Sequence, residues 1–193
     1  YQAEYNRSGR HSLLFGQAGH IALMDCHNLS LQTEIHLNET IRDACFLQNE
    51  SMFAVAQKKS VYIYDNAGTE IHQLRDHVDP FKLQYLPYHW LLTSVNRSGY
   101  LRYVDTSTGN FVSEHRTKLG PCSVMRQNPS NAVMHLGHGN GVVTLWSPAS
   151  SQCLVKMLCH RGFHRTFHRT FHQPYLLPLH RWFHPAFHTP LHL

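Results

Sequence analysis

Val61-Tyr62-Ile63-Tyr64-Asp65 is a short run of β-branched and aromatic residues that ends on an acid. The chain writes the same phrase three more times. Ile21-Ala22-Leu23-Met24-Asp25 precedes it, and Leu101-Arg102-Tyr103-Val104-Asp105 and Val143-Thr144-Leu145-Trp146-Ser147 follow. The copies end at residues 25, 65, 105 and 147, so the steps are 40, 40 and 42 residues. Six positions before each end stands Gly19, Lys59, Gly99 or Gly141. One short apolar run is an ambiguous strand signal. Four copies in near-fixed register mark a repeat, and a period of about 40–45 residues with four strands each is that of a propeller blade.

The segments around each copy fit this reading. Before Val61–Asp65 come an inner strand at Ile41–Leu47, the turn Gln48–Ser51 and the fully apolar run Met52–Ala56. Such a run suits a strand buried on both faces. After it, Asn66-Ala67-Gly68 turns the chain out to Ile71–Leu74. The second cycle predicts strands at Phe81–Leu86, Trp90–Val95, Tyr100–Asp105 and Phe111–Glu114. The third predicts Cys122–Gln127, Ala132–Leu136 and Val142–Trp146. Tyr5–Gly9 reads as a turn, with strands at His11–Gly16, Ile21–Asp25 and Leu31–Leu37 after it. Leu154–Leu158 reads as the outer strand of a further blade. The expected fold class is all-β: a partial β-propeller of about three full blades plus two partial ones over residues 1–162, which the family likeness given below makes one of the WD-repeat kind. A closed ring takes about 4–8 blades, so open sheet faces are expected at the ends, and with them self-association. The chain opens at Tyr1 in mid-pattern and is expected to be a fragment.

Charge is sparse, at 15% of the 193 residues, and unevenly spread. Residues 1–114 hold 9 Lys/Arg and 12 Asp/Glu; residues 115–193 hold 8 Lys/Arg and no acid. That asymmetry points to an anionic partner for the second half. Arg116, Lys118, Arg126, Lys156 and Arg161 are the candidate contacts to RNA phosphates or to a partner, and they are expected on turns and outer strands. The five cysteines form no Cys-x-x-Cys and read as reduced thiols of an intracellular protein. No apolar run approaches the roughly 18 residues of a membrane span, and no signal peptide is legible. There is no dinucleotide-binding glycine motif, phosphate loop or nucleophile elbow. No enzyme activity, cofactor, membrane contact or small-molecule substrate is expected.

Residues 163–193 break the pattern. Phe163-His164-Arg165-Thr166 repeats as Phe167-His168-Arg169-Thr170, then Phe171-His172, and the segment holds 7 histidines in 31 residues. His164, His168 and His172 at i, i+4 spacing are candidate zinc ligands. Against this, Pro174, Pro178, Pro185 and Pro190 forbid one long helix, and no cysteine or carboxylate completes a site there. The segment is expected to be a disordered, low-complexity tail without a specific metal site. A shifted reading frame or an alternative terminal exon would account for the abrupt change.

Several long stretches carry a family likeness. They are Met52–Lys59 running into Val61–Asp65, Leu86-Pro87-Tyr88-His89, Gln127-Asn128-Pro129, His135-Leu136-Gly137-His138, Leu145-Trp146-Ser147-Pro148 and Leu154–Gly162. Over roughly residues 1–162 the chain resembles the WD-repeat nucleolar proteins of the small-subunit processome, a family with a BING-type C-terminal domain. The resemblance stops at Phe163. It implies a seven-bladed, non-enzymatic scaffold in the nucleolus of the nucleus. Its implied partners are processome proteins and precursor ribosomal RNA, in small ribosomal subunit biogenesis. WD repeats place an Asp in the turn before the marker strand, where this chain has Ala18, Lys58, Ser98 and Asn140. The buried Asp–His–Ser/Thr–Trp network is therefore expected to be mostly absent, with His77 and His160 as its remaining histidine members. Asp25, Asp65, Asp105 and Trp146 are the expected structural residues of the marker strands. The leading expectation is a scaffold. The alternatives are metal or polyanion binding through the tail, and a truncated product without function, unable to replace the full-length protein.

Overall fold

The computed structural model describes residues 1–160. Arg161, the expected boundary after residue 162, and the tail with His164, His168 and His172 lie outside the described residues. Among the described residues there is no helix, hence none long and apolar enough to cross a membrane. Sixteen strands form four antiparallel sheets of four, each in chain order. Sheet 1 holds β1 (Gln2–Tyr5), β2 (His11–Phe15), β3 (His20–Asp25) and β4 (Ser30–His36). Sheet 2 holds β5 (Asp43–Phe46), β6 (Met52–Ala56), β7 (Val61–Asp65) and β8 (Glu70–Leu74). Sheet 3 holds β9 (Pro80–Leu86), β10 (Leu91–Asn96), β11 (Tyr100–Asp105) and β12 (Phe111–Arg116). Sheet 4 holds β13 (Cys122–Gln127), β14 (Met134–His138), β15 (Val142–Trp146) and β16 (Val155–Leu158).

The all-β propeller reading holds, with the marker phrase as the third strand of every sheet. The count of blades differs: four complete sheets replace three full and two partial ones. Gln2–Tyr5 pairs with His11–Phe15 and completes sheet 1. Its alternating polar residues face the axis, so it lacks the apolar signature of a buried strand. Val155–Leu158 pairs with Val142–Trp146, so it closes sheet 4 and opens no further blade.

First strands touch from sheet to sheet, β1 with β5, β5 with β9 and β9 with β13, and so line a common axis. Between sheets 1 and 2 pack Leu13, Ile21 and Leu23 against Phe53, Val55 and Tyr64. Between sheets 2 and 3, Ala54, Val61 and Ile63 meet Leu83, Leu92 and Val104. Between sheets 3 and 4, Leu101 and Tyr103 meet Met134, Leu136 and Trp146. The middle strands are buried on both faces, which is why they read as apolar runs; β16 is exposed throughout. All five cysteines are free thiols.

The position six before each marker end has one role in all four sheets. Its carbonyl accepts the amide of the chain leaving the outermost strand: Leu37 on Gly19 (2.7 Å), Asp79 on Lys59 (3.1 Å), Thr117 on Gly99 (2.9 Å) and Cys159 on Gly141 (3.0 Å). Gly19, Gly99 and Gly141 have φ of +95°, +80° and +80°. A Cβ at Gly141 would stand 2.1 Å from the His160 carbonyl oxygen. The close approach and the left-handed backbone both require glycine there.

The marker ends cap the following turn. Asp25 Oδ1 accepts the His27 amide at 2.9 Å, Asp65 Oδ1 that of Thr69 at 2.7 Å, and Asp105 Oδ1 that of Ser107 at 2.8 Å. This is the Asx-turn preference of aspartate. The Arg10 side chain also bonds Asp25 and, with the His27 and Asn28 amides, holds its carboxyl down at about 2.

Candidate nucleic-acid interface

Of the basic residues singled out from sequence, the four that the structure describes, Arg116, Lys118, Arg126 and Lys156, do not form one surface. Arg126 lies on β13 at the axis, 3.8 Å from Glu4, and not on a turn or outer strand. Its neighbours there are Gln2, Asp43 and Lys82. Lys82 Nζ is 3.3 Å from Asp43 and 3.2 Å from the Gln2 side chain, and the Leu83 amide donates to Asp43 at 2.9 Å. Burial pushes the Glu4 and Asp43 carboxyls up, against the pull of Arg126 and Lys82 respectively. The axis is thus internally neutralised, and Arg126 is spent inside it. Lys156 stands exposed on β16, at the outer edge of sheet 4.

Arg116 and Lys118 are brought together with residues that the sequence alone did not mark. Arg116 ends β12 opposite Tyr100, the first residue of β11. Its guanidinium lies 5.4 Å from the Tyr100 ring centroid, and that of Arg102 lies 5.5 Å from it. The β10–β11 turn carries Arg97, whose guanidinium sits 4.9 Å from the Phe81 ring centroid. Thr117 donates its hydroxyl to Gly99 O at 2.9 Å, tying the Lys118 loop to that same turn. One end of sheet 3 therefore presents Arg97, Arg116 and Lys118 with Phe81 and Tyr100 between them.

Charge at this rim is partly cancelled and partly available. Arg102 Nε bonds Glu114 at 2.5 Å, and Arg42 bonds Asp79 at 2.5 Å. Among the described residues, no carboxylate lies within ion-pair distance of Arg97, Arg116 or Lys118, and all three are exposed. Cations interleaved with aromatic faces suit a nucleic-acid strand, whose phosphates meet the cations and whose bases stack on rings or guanidinium planes. Cross-strand register creates the patch. Phe81, Arg97, Tyr100 and Arg116 span 36 positions of sequence, so no local motif announces it.

Remnants of the buried polar network lie beneath the rim. His77, fully buried, shares a 2.6 Å hydrogen bond between Nδ1 and Ser94 Oγ, while its Nε2 has no partner. The position where WD repeats place the acid is Ser98 here, and among the described residues no carboxylate lies within ion-pair distance of His77. Burial drives its imidazole down to about 3, so it is neutral. In sheet 4, Thr144 Oγ1 lies 2.8 Å from both the Trp146 indole nitrogen and His138 Nε2. His115 stacks on Trp146 with ring centroids 5.4 Å apart. His160 binds Gly141 O through its backbone amide at 3.2 Å.

These sheets and their register define a β-propeller array. The β-propeller domain of Cps50 (Swd1) from Myceliophteria thermophila superimposes with a TM-score of 0.68. It is 16% identical, over 80% of this chain and 56% of that one. The computationally designed Ika8 protein does so at 0.67 and 10% identity, over 83% and 49%. Both show the fold alone.

Sequence relatives are more specific. U3 small nucleolar RNA-associated protein 7 of Saccharomyces cerevisiae is 52% identical over 162 residues, and WD repeat-containing protein 46 of Mus musculus is 47% identical over 162. The Homo sapiens protein of the latter name is 45% identical over the same length. These alignments take in 84% of this chain but only 26–29% of each relative, so the chain spans less than a third of their length. No protein-family model matches the chain.

Proposed function

We propose that this chain is a non-catalytic WD-repeat scaffold of ribosome biogenesis. It works in the nucleolus on precursor ribosomal RNA, together with other proteins of the small-subunit processome. The 52% identity to a U3 small nucleolar RNA-associated protein carries this reading. It supports a scaffold over metal or polyanion binding through the tail. The rim of sheet 3 supplies the RNA contact, with Arg97, Arg116 and Lys118 on phosphates and Phe81 and Tyr100 as stacking faces.

A chimera tests the role. Residues 1–162 of this chain replace the matching segment of the yeast relative, in cells depleted of the native protein. Small-subunit RNA maturation is expected to recover; a chimera that is stably made yet leaves precursor RNA unprocessed overturns the reading. Binding of single-stranded RNA tests the surface. Each lost phosphate contact lowers the log–log salt slope by about 0.7, so Arg97→Ala, Arg116→Ala and Lys118→Gly together remove about 2. Glycine is used at 118 because Lys118 has φ of +56°. An unchanged slope excludes the rim as the contact.

A further inference from the structure

On sheet 1, the pairing of β3 with β4 sets His20 opposite His36 and Ala22 opposite Glu34. Side chains alternate across a strand, so His20, Glu34 and His36 share one face. It is the face turned away from sheet 2, because Ile21, Leu23 and Ile35 pack toward Phe53 and Val55. One ligand atom from each of the three residues lies within 4.8 Å of the other two. His20 Nε2 is 2.7 Å from Glu34 Oε1, and His36 Nε2 is 4.0 Å from the same oxygen. The two imidazoles stack with centroids 4.7 Å apart at 26°, and Tyr1 packs edge-on against His20. His20 Nδ1 is buried without a partner, so Glu34 is the ring's polar engagement. Among the described residues, no Lys or Arg pairs with Glu34; its ion-pair neighbours are the two histidines.

We propose that His20, Glu34 and His36 bind a divalent first-row transition metal, zinc fitting best, with water in the fourth position. Two imidazole nitrogens and a carboxylate oxygen are the donor set of open zinc sites. Metal–ligand bonds of about 2.0–2.2 Å in a tetrahedron put neighbouring donors about 3.3–3.5 Å apart. The 2.7 and 4.0 Å separations straddle that value, so small rotations of the two rings admit the ion. The ladder fixes the histidines opposite one another, which pre-organises the site. Bound metal would clamp the outermost strand of sheet 1 to its neighbour. None of its three ligands belongs to the histidine run of residues 163–193.

Cobalt(II), titrated into the full chain, reports the site. The expected result is the visible absorption of a tetrahedral centre at one equivalent, displaced by stoichiometric zinc. It should vanish in His36→Ala, an exposed position whose loss leaves the far-ultraviolet circular dichroism unchanged, and weaken in Glu34→Gln. It should persist in the His164→Ala, His168→Ala, His172→Ala triple variant. No such spectrum in the unmodified chain, its survival in His36→Ala, or its loss in the triple variant overturns the proposal.

Discussion

Glycine at 141 answers to two constraints, and glycine at 109 to one. Both have positive φ, but a Cβ at Gly109 meets nothing within 4 Å, while at Gly141 it meets a backbone carbonyl at 2.1 Å. Gly109→Ala is expected to cost about 1–2 kcal/mol, the backbone strain alone. Gly141→Ala should cost more than about 3 kcal/mol, because the exit of β16 must move. Denaturant melts of the two variants check the difference, and equal losses would refute it. His77 makes a pH prediction of definite sign. Its folded pKa of about 3 lies below the usual 6.5, so the unfolded chain takes up the proton first. Its contribution to stability is full above pH 6.5 and declines as pH falls toward 3. In His77→Gln, the dependence of the urea midpoint between pH 6.5 and 4 should shrink. It should not disappear, because burial also lowers His115, His135 and His138.

At the scale of the element, position within a blade sets the cost of a change. Leu92, in the second strand of sheet 3, is fully buried, and Leu92→Ala should lose about 2–5 kcal/mol. Val155, on the outermost strand of sheet 4, is 42% exposed, and Val155→Ala should stay within about 1 kcal/mol. Thermal unfolding of both variants tests this ordering. The same gradient governs what could be read from sequence. Met52–Ala56, Val61–Asp65 and Tyr100–Asp105 are buried on both faces, and their expected bounds match the strands found. Gln2–Tyr5 carries no such apolar signal, because an inner strand faces the axis, where polar residues are tolerated. The rim and the His20–Glu34–His36 cluster were illegible for another reason. Each is assembled from adjacent strands, by a register that no single stretch of sequence encodes. Arg116 and Lys118 were found from charge alone, but charge could not separate them from Arg126, which pairs across the axis.

Across the whole molecule, sheets 1 and 4 each turn one face away from their neighbours. Tyr5 and Leu31 on sheet 1, and Val155 and Met157 on sheet 4, are among the exposed large side chains. The chain alone should therefore self-associate as its concentration rises, and sedimentation velocity giving a monomer throughout would contradict this. The contiguity of each sheet has another consequence. Every ladder joins strands that are neighbours in sequence, and the chain leaving each outer strand is fastened to its own sheet at residue 19, 59, 99 or 141. Among the described residues, no strand is lent to another blade. Under mechanical load, pulled from its two ends, the molecule should yield in discrete events, one blade at a time. Each rupture would release about 40 residues, or roughly 13 nm of contour length. A single-molecule trace with one cooperative rupture would show instead that the inter-sheet cores, not the ladders, carry the tension.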